Sequence, residues 1–380
     1  MGSELLERAR ELRPAVDAAG AAAAESGATA LPQELVSACF EAGLYGALSP
    51  RAVGGAELSI DDCLDVFAEV AYGDGSVGWS LMAGATAACF FGAYCPDSFT
   101  DEMFAGGVVP VVAGQFAPNG TAVPNGDMYR LTGKYSFGSG VAHADWVGGG
   151  AFTTPPEGEQ AEFRLMMMPR SEVELLGNWD VLGLRATSSY DYSIDADVPA
   201  HATFEFFSPT RYRGGPMYDL GVIILTEIGH MGWTIGLVRR AIDEAVAIAK
   251  VRARMAAPSV IAEDPRFRYE FAMGVSRFEA AETWCRQAFR TAEQAAEAGS
   301  GRDPALATNI KQSATLLTQE GLALIRSLYE WCGTEALRDG PLQRCFRDMH
   351  AGSQHVLVGD RNPHEFADLR LSDPDPPRTR

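Results

Sequence analysis

The spacing of hydrophobic positions changes twice along the chain and divides it into three parts. Apolar side chains recur every three or four positions through residues 1–107, at every second position in much of 108–212, and every three or four positions again through 213–371. The longer spacing predicts amphipathic helices, and the spacing of two predicts half-buried strands. We therefore predict an α+β protein, mainly α, with domain boundaries near these positions.

The first part reads as a helical domain. The segment Leu31–Gly43 predicts a helix, and Pro32 near its start is suited to a first helical turn. Further along, Gly73–Gly78 matches the GxGxxG pattern of a dinucleotide-binding loop, but residues of helical period precede it instead of a strand. We interpret this run as a turn between two helices.

The middle part predicts short strands. Tyr190, Tyr192 and Ile194 alternate with polar residues, as in a strand that has one buried face. Prolines and glycine pairs divide the rest of the segment into similar short pieces. We expect an antiparallel β-barrel of roughly 100 residues.

The last part predicts four helices, enough for an antiparallel bundle. They begin after Leu220, at Asp264-Pro265, near Ile310, and at Arg344, the last continuing to Val358. The apolar run after Leu220 contains charged and titratable residues, which favours a buried bundle helix over a membrane span. Residues 372–380 are acidic and proline-rich, and we expect them to be disordered.

Composition narrows the partners. The chain has 380 residues and a formal net charge of −19, which argues against nucleic acid or an anionic membrane as a partner and favours a small neutral or aromatic ligand. Its seven cysteines form no CxxC pair, and we predict neither disulfides nor a metal site. The N-terminus lacks the apolar stretch of a signal peptide, so we expect a cytoplasmic protein.

Two stretches carry the most chemistry, Gly133–Trp146 and Asn178–Asp191. Both combine Gly and Ser with aromatic residues, and the second also contains Thr. Backbone without bulky side chains can approach a flat ligand closely, hydroxyls can bind its polar edge, and aromatic rings can cover its face. These stretches predict a planar-cofactor site on the β-domain.

Together with Ala113–Ala122 (AGQFAPNGTA), these stretches resemble the middle domain of the acyl-CoA dehydrogenase superfamily. The closest resemblance is to its oxygen-using branch, the oxygenase components of two-component flavin monooxygenases such as the 4-hydroxyphenylacetate and seco-steroid hydroxylases. Pro50–Gly55 and Gln343–His355 fall where the family has comparable elements, so the resemblance covers nearly the whole chain. It implies a helical domain, a β-barrel and a four-helix bundle, in that order.

The resemblance also implies a flavin between the β-domain and the bundle. The residues that it places at the flavin are Gln115, Phe116, Asn119, Thr121, Ser136, Ser139, Gly140, Trp179, Arg185, Thr187 and Ser188. Ser139 is expected beside flavin N5, with Ser136 as the competing candidate, while any one of the Ser and Thr residues alone could equally serve a turn. The family places the helix of Trp79, Phe90 and Phe91 against the substrate pocket, and we add His230 to that pocket.

The catalytic expectation concerns His355. The dehydrogenases use a glutamate a few residues beyond a segment like Arg347-Asp348, yet Met349–Gly359 has no carboxylate and holds His355 instead. Histidine titrates near neutral pH, so His355 could deprotonate a substrate or hydrogen-bond a flavin hydroperoxide. The alternatives are a purely structural histidine and, for an acyl-CoA dehydrogenase, Glu227 as the base.

The implied reaction is a hydroxylation. Externally supplied FMNH2 or FADH2 would react with O2 at C4a, and the hydroperoxide would pass one oxygen to a small aromatic or hydrophobic substrate. No credible NAD(P)H fingerprint is present, so a separate NAD(P)H-dependent flavin reductase is expected, and the family resemblance implies a homotetramer. Arg252 and Arg254 do not match the Arg-x-x-Phe-Gly element of FAD-binding relatives, which makes FMN at least as good a candidate as FAD. A flavin-binding subunit without chemistry of its own is a further alternative.

Overall fold

The computed structural model describes residues 2–154, 158, 160–255 and 257–372. Five helices form the N-terminal part: α1 (Gly2–Ser26), α2 (Gln33–Glu41), α3 (Ile60–Gly73), α4 (Gly75–Tyr94) and α5 (Asp97–Met103). The predicted helical domain is confirmed. Pro32 lies at the cap position of α2, one residue before the first helical turn in which we expected it.

Helices α3 and α4 meet at the Gly73–Gly78 run. The Asp74 side chain caps α4 by accepting hydrogen bonds from the backbone amides of Ser76 and Val77. Gly78 has no room for a Cβ atom because the backbone of Ala71 lies against it. The glycines therefore allow two helices to pack closely, and the predicted helix-helix turn is confirmed.

Seven strands form one sheet in the middle part. They are β1 (Val112–Asn125), β2 (Met128–Gly138), β3 (Trp146–Thr153), β4 (Phe163–Pro169), β5 (Val173–Gly177), β6 (Tyr190–Pro199) and β7 (Thr203–Glu205). Their order is β5-β6-β2-β1-β3-β4-β7. Strands β1 and β3 pair in parallel, whereas the other five pairs are antiparallel, so the sheet is mixed and not wholly antiparallel as we expected.

Sequence alternation failed to reveal that parallel pair because it reports which face of a strand is buried and not which strand lies beside it. The alternation itself is confirmed in β6, where Tyr192, Ile194, Ala196 and Val198 are buried and the residues between them are more exposed.

The C-terminal part consists of α6 (Gly221–Val251), α7 (Pro265–Glu297), α8 (Pro304–Cys332), α9 (Pro341–Gly352) and α10 (Arg361–Ser372). The first three match the predicted bundle helices. The fourth is shorter than expected: α9 ends at Gly352, and His355 caps a short 3-10 turn before α10 begins. Ser372 belongs to α10, and the rest of the predicted disordered tail lies outside the described residues.

Two helices, α4 and α6, are long and apolar enough to cross a membrane by length and composition. Within their most apolar windows, 94% and 83% of the residues are buried inside the protein. They therefore behave as core helices, as we expected for the run after Leu220. One hydrophobic core includes residues from all three parts of the chain.

Candidate functional site

Strained backbone marks the two loops that the sequence singled out. Phe137 lies at the end of β2, and Asn178, Leu184 and Ser188 lie in the loop between β5 and β6. All four have positive φ angles, between 45° and 66°, although none is glycine. Such conformations cost on the order of 1–3 kcal/mol each and persist only where surrounding contacts hold them. The two loops are therefore held in defined shapes.

Trp79 joins the two residues to which we assign catalytic roles. Its indole Nε1–H donates to Ser139 Oγ over 3.0 Å. The edge of the same ring system meets the His355 imidazole at a centroid distance of 5.7 Å. Residues from α4, from the end of β2 and from the segment after α9 thus converge on one place, although they lie far apart in the sequence.

His230 completes this cluster from α6. Its ring stacks on His355 at 5.3 Å between centroids, and it also contacts Trp79 and Trp233. His230 Nε2 donates to the carbonyl oxygen of Gly352 over 3.3 Å, because a carbonyl can only accept. The structure therefore brings His230, Trp79 and His355 together, and their role in a substrate pocket stays a prediction.

Both imidazoles are held in the neutral form. Burial lowers the pKa of His230 to about 3, with a smaller contribution from the neighbouring His355. Burial also lowers the pKa of His355 to about 4. His355 Nδ1 accepts a hydrogen bond from the backbone amide of Leu357 over 3.4 Å, so the neutral ring carries its proton on Nε2. At neutral pH, His355 thus offers an N–H donor at Nε2.

A row of hydroxyl groups extends from Ser139 into the loop between β5 and β6. Ser139 Oγ lies 2.8 Å from Ser189 Oγ, and Ser189 Oγ lies 2.6 Å from Thr187 Oγ1. Thr187 Oγ1 donates to the carbonyl oxygen of Leu184 over 2.8 Å. The row is buried, with Ser139 the most exposed member at 8%. By contrast, the described residues include no side-chain hydrogen-bond partner for Ser136, so the geometry favours Ser139.

Leu184 is held from several sides. Its amide donates to Asp348 Oδ1 over 2.6 Å, and its carbonyl also accepts from Trp179 Nε1 over 3.1 Å. Asp348 on α9 lies close to Asp74 at the start of α4, and burial together with Asp74 raises the Asp348 pKa to about 7. Arg344 Nε lies 3.3 Å from Asp74 Oδ2. A buried carboxylate pair thus anchors the loop to two helices.

The residues beside Ser139 fit a flat ligand with polar edges. A Cβ atom added to Gly140 would meet only one atom, at 4.0 Å, and Phe137 is 65% exposed beside Trp179, with 6.0 Å between ring centroids. Ser188 Oγ and His230 Nδ1 are buried and have no hydrogen-bond partner among the described residues. Open backbone, exposed aromatic surface and unpaired buried polar atoms together suit an isoalloxazine ring.

Arg185 is a candidate for the anionic part of such a ligand. It lies in the same loop, its side chain is exposed, and its guanidinium makes no hydrogen bond or ion pair within the described part of the chain. An exposed guanidinium is suited to binding a phosphate group.

The four predicted residues on β1 are not brought into this cluster. The backbone amide of Gln115 donates a hydrogen bond to the Tyr192 hydroxyl, and its side-chain oxygen accepts one from Asn119. Phe116 packs against Phe90 and Phe91, while Thr121 is exposed opposite Thr132 of β2. Within the described part of the chain, these four residues make no hydrogen bond or ring contact with Trp79 or Ser139. Their role at the flavin stays a prediction.

Phe90 and Phe91 lie three turns beyond Trp79 on α4, a distance of about 16 Å along the helix. They are almost completely buried, and Phe91 also packs against Phe99 and Phe204. In this structure they are core residues between α4 and the sheet. A place in the substrate pocket stays a prediction for both.

Glu227 lies inside the bundle. It is fully buried, and neither carboxylate oxygen has a hydrogen-bond partner within the described ranges. Burial raises its pKa well above the ordinary value, and the charged group that opposes this shift is Lys311 on α8. It also interacts electrostatically with Cys285 on α7. These neighbours place it toward α7 and α8, whereas the contacts of His230 on the same helix lead to Trp79 and His355.

Arg252 and Arg254 make contacts within the bundle. Arg252 pairs with Glu335 at 3.3 Å, and Arg254 lies over the Trp331 ring at 5.0 Å. A surface cleft of about 400 Å³ lies elsewhere, between α1, α3, α6 and α7, and its four arginines all pair with carboxylates. These regions offer no competing catalytic cluster.

Sequence reasoning missed Ser189, Trp233 and the Asp74–Asp348 pair. Trp233 could have been found, because it lies one helical turn after His230 on α6 and therefore on the same face. Ser189 could not, because only the left-handed backbone of Ser188 decides which of the two adjacent serines joins the hydroxyl row. The Asp74–Asp348 contact depends on how α9 packs on α4.

Comparison with known proteins agrees with this architecture. The acyl-CoA dehydrogenase N-terminal domain family matches residues 3–94, and the acyl-CoA dehydrogenase C-terminal domain family matches residues 228–359. Indole-3-acetate monooxygenase of Acinetobacter baumannii is 27% identical over 334 residues, 86% of this chain and 84% of that protein.

Two further relatives extend the comparison. The flavin-dependent monooxygenase oxygenase subunit HsaA of Mycobacterium tuberculosis is 26% identical over 86% of this chain and 85% of its own length, and its crystal structure superposes with a TM-score of 0.87 over 97% of both chains, at 22% identity. XiaF from Streptomyces, solved with FADH2, superposes with a TM-score of 0.84 over 97% of this chain and 94% of its own, at 22% identity.

The family matches cover both helical parts of the chain, and the relatives align across the sheet that joins them. The protein therefore belongs to the acyl-CoA dehydrogenase superfamily and is similar, over most of its length, to the oxygenase components of flavin-dependent monooxygenases.

Proposed function

We propose that this protein is the oxygenase component of a two-component flavin-dependent monooxygenase that hydroxylates a small aromatic substrate. The observation that carries the proposal is the convergence of Ser139, Trp79 and His355. Residues 349–359, which include His355, contain no carboxylate that could serve as a dehydrogenase base. The names of its relatives, which include an indole-3-acetate monooxygenase and an oxygenase subunit, support an aromatic substrate and a separate reductase.

The bound reduced flavin would supply activation of O2 and transfer of one oxygen atom to the substrate. Ser139 would contact its polar edge, while Phe137, Gly140 and Trp179 would lie along the ring and Arg185 would bind a phosphate. Thr187 would support the site through its hydrogen bonds to Ser189 and Leu184. The hydroxyl of Ser188, which has no partner among the described residues, would bind the ligand. These roles give each residue a contact suited to its chemistry.

His355 and its neighbours would handle the substrate. Because burial keeps the His355 pKa near 4, the ring is neutral at pH 7 and carries its proton on Nε2. His355 is therefore better suited to donating a hydrogen bond to a phenolate or carbonyl oxygen of the substrate than to removing a proton from it. Trp79 and His230 pack against it and exclude water, so that hydrogen bonds in the site are stronger than in solvent. His355 would thus orient the substrate.

We further propose a cytoplasmic homotetramer that receives its flavin from an NAD(P)H-dependent reductase. FMN is our first choice of cofactor because the exposed side chains of Arg252 and Arg254 are engaged with Glu335 and Trp331 and lack the Arg-x-x-Phe-Gly pattern of FAD-binding relatives. FADH2 in the related XiaF structure supports FAD as the second choice. Binding of FMN and FAD to the purified protein would decide between them.

The proposal is tested by single-turnover reaction of the protein with photoreduced FMN or FAD and ¹⁸O2, in the presence of indole-3-acetate, resorcinol or other small aromatics. We expect one labelled oxygen atom in the product. Release of hydrogen peroxide alone across the whole panel would contradict the proposal. Reduction of bound oxidised FAD by acyl-CoA without O2 would instead support the acyl-CoA dehydrogenase alternative with Glu227.

A further inference from the structure

The hydroxyl row at Ser139 has only one consistent direction of hydrogen bonding. Trp79 Nε1 can only donate, and the Leu184 carbonyl at the other end can only accept. Between them, Ser139, Ser189 and Thr187 each carry a single hydroxyl proton. The number of protons therefore limits how the three hydroxyls can be arranged.

The Thr187 proton is committed to the Leu184 carbonyl, so Thr187 must accept from Ser189 across their 2.6 Å separation. The Ser189 proton is then committed as well, and Ser189 must accept from Ser139. Reversing the row would leave two oxygen atoms 2.8 Å apart with no proton between them, at Thr187 and Leu184. The forward direction makes every bond in the row.

We propose that Ser189 and Thr187 are positioning residues that make Ser139 a hydrogen-bond acceptor toward the bound flavin. The Ser139 proton points to Ser189 in this arrangement, and Trp79 occupies one of the Ser139 lone pairs. What remains for a ligand is the other lone pair. This inference rests on the proposed flavin site.

An acceptor at this position distinguishes the two redox states of a flavin. Reduced flavin carries a hydrogen on N5 and can donate, whereas oxidised flavin has an unprotonated N5 that can only accept. Ser139 in its fixed orientation can accept from the N5–H of reduced flavin. With oxidised flavin, the lone pair of Ser139 Oγ would face the lone pair of N5 and repel it. A protein that must take up reduced flavin and discard oxidised flavin gains selectivity from such a contact.

The end of the row is fixed by the fold. Leu184 has a left-handed backbone, with φ at 57°, and its amide is held by Asp348 while its carbonyl also accepts from Trp179. The carbonyl therefore cannot turn away from Thr187 without breaking those contacts. The fixed acceptor at Leu184 sets the direction of the whole row, and Ser189 transmits it to Ser139.

The test compares dissociation constants of oxidised FMN and of dithionite-reduced FMN, measured anaerobically, with FAD measured in parallel. We expect the wild-type protein to prefer the reduced form, and Ser189→Ala and Thr187→Val to lower that preference by about tenfold, the equivalent of one hydrogen bond. Thr187→Ser keeps the hydroxyl and should keep the preference. Ser193→Ala on the adjoining strand β6, which removes a hydroxyl that donates to Glu174 and takes no part in the row, is the matched control.

The outcomes separate the two proposals. If the wild-type protein binds neither FMN nor FAD, the proposed flavin site itself is wrong. If it binds flavin without preferring the reduced form, or if Ser139→Ala loses the preference while Ser189→Ala and Thr187→Val keep it, the row does not orient Ser139 and the inference is overturned. Should Ser189→Ala fail to fold, as judged by circular dichroism, the Thr187→Val and Thr187→Ser pair gives the same decision.

Discussion

Replacing Asp348 with Asn should stabilise the protein at alkaline pH, although the substitution alters a buried polar contact. Asp348 Oδ1 accepts from the Leu184 amide, and an Asn side chain offers the same oxygen. Burial raises the pKa of Asp74, but Arg344 and the two backbone amides that its side chain caps at the start of α4 favour its charged form. An Asn amide at position 348 can donate toward Asp74, whereas a second carboxylate repels it.

The size of the effect follows from the Asp348 pKa, which burial and the Asp74 charge raise from 3.8 to about 7. A carboxyl whose folded pKa is above its unfolded value binds its proton more tightly in the folded state, so it lowers stability as pH rises through the window from about 4 to about 7. Three pKa units correspond to about 4 kcal/mol above pH 7. The stabilisation by Asp348→Asn should therefore approach a few kcal/mol at pH 8 and vanish near pH 4.

The measurement is the midpoint of thermal or urea unfolding of both proteins between pH 5 and pH 9. The gap in favour of the variant should widen as pH rises to about 7 and then level off. Asp348→Ala is the control, because it leaves the Leu184 amide without its acceptor and should be less stable than Asp348→Asn at every pH. A variant that is no more stable than wild type at pH 8 would refute the claim that Asp348 ionises close to a second negative charge, that of Asp74.

His355→Ala should leave flavin binding within about twofold of wild type and lower the yield of hydroxylated product by about tenfold or more, because one oriented donor is lost; product analysis after single turnover checks this, and an unchanged yield would exclude the role. Ser139→Ala should raise hydrogen peroxide released per reduced flavin at the expense of product, and unaltered coupling would shift attention to Ser136. His230→Gln should be more resistant to acid than wild type. The lowered pKa of His230 contributes stability that is complete above about pH 6.5 and is lost as pH falls toward about 3, at about 1.4 kcal/mol per pH unit. Equal pH dependence of the two unfolding midpoints would contradict this. Gly352→Ala should destabilise the protein by about 1–3 kcal/mol, because the added methyl group would overlap the Trp233 ring and lie 3.0 Å from Trp79; an unfolding midpoint equal to that of wild type would contradict that overlap.

The helices could be predicted because hydrophobic period is a local property of the sequence. It identified α6, α7 and α8 and the turn at Asp74, where the helical residues before the glycines excluded a nucleotide loop. It failed where the structure depends on distant contacts. The parallel pairing of β1 with β3 is one case, and the early end of α9 at Gly352, where His230 and the two tryptophans pack, is another.

The candidate site was predictable in its parts and not in its connections. The absence of a carboxylate in 349–359 directed attention to His355, and the glycine- and hydroxyl-rich stretches directed attention to Ser139. That Trp79 joins these two residues could not be read from the sequence, because nothing in spacing indicates which neighbour an indole N–H will reach across a fold. The burial that lowers the His355 pKa likewise depends on distant packing, because Trp79 of the N-terminal part and His230 of the C-terminal part both pack against this ring.

The shared hydrophobic core has a consequence for biosynthesis. Trp79 and His355 lie far apart in the sequence yet contact each other in the folded protein, so a chain that is incomplete or cut before His355 lacks one wall of the site. Such a fragment would leave any captured flavin open to bulk water and would waste reducing equivalents. The N-terminal and C-terminal parts of the chain must therefore pack together before the proposed flavin site is closed to solvent.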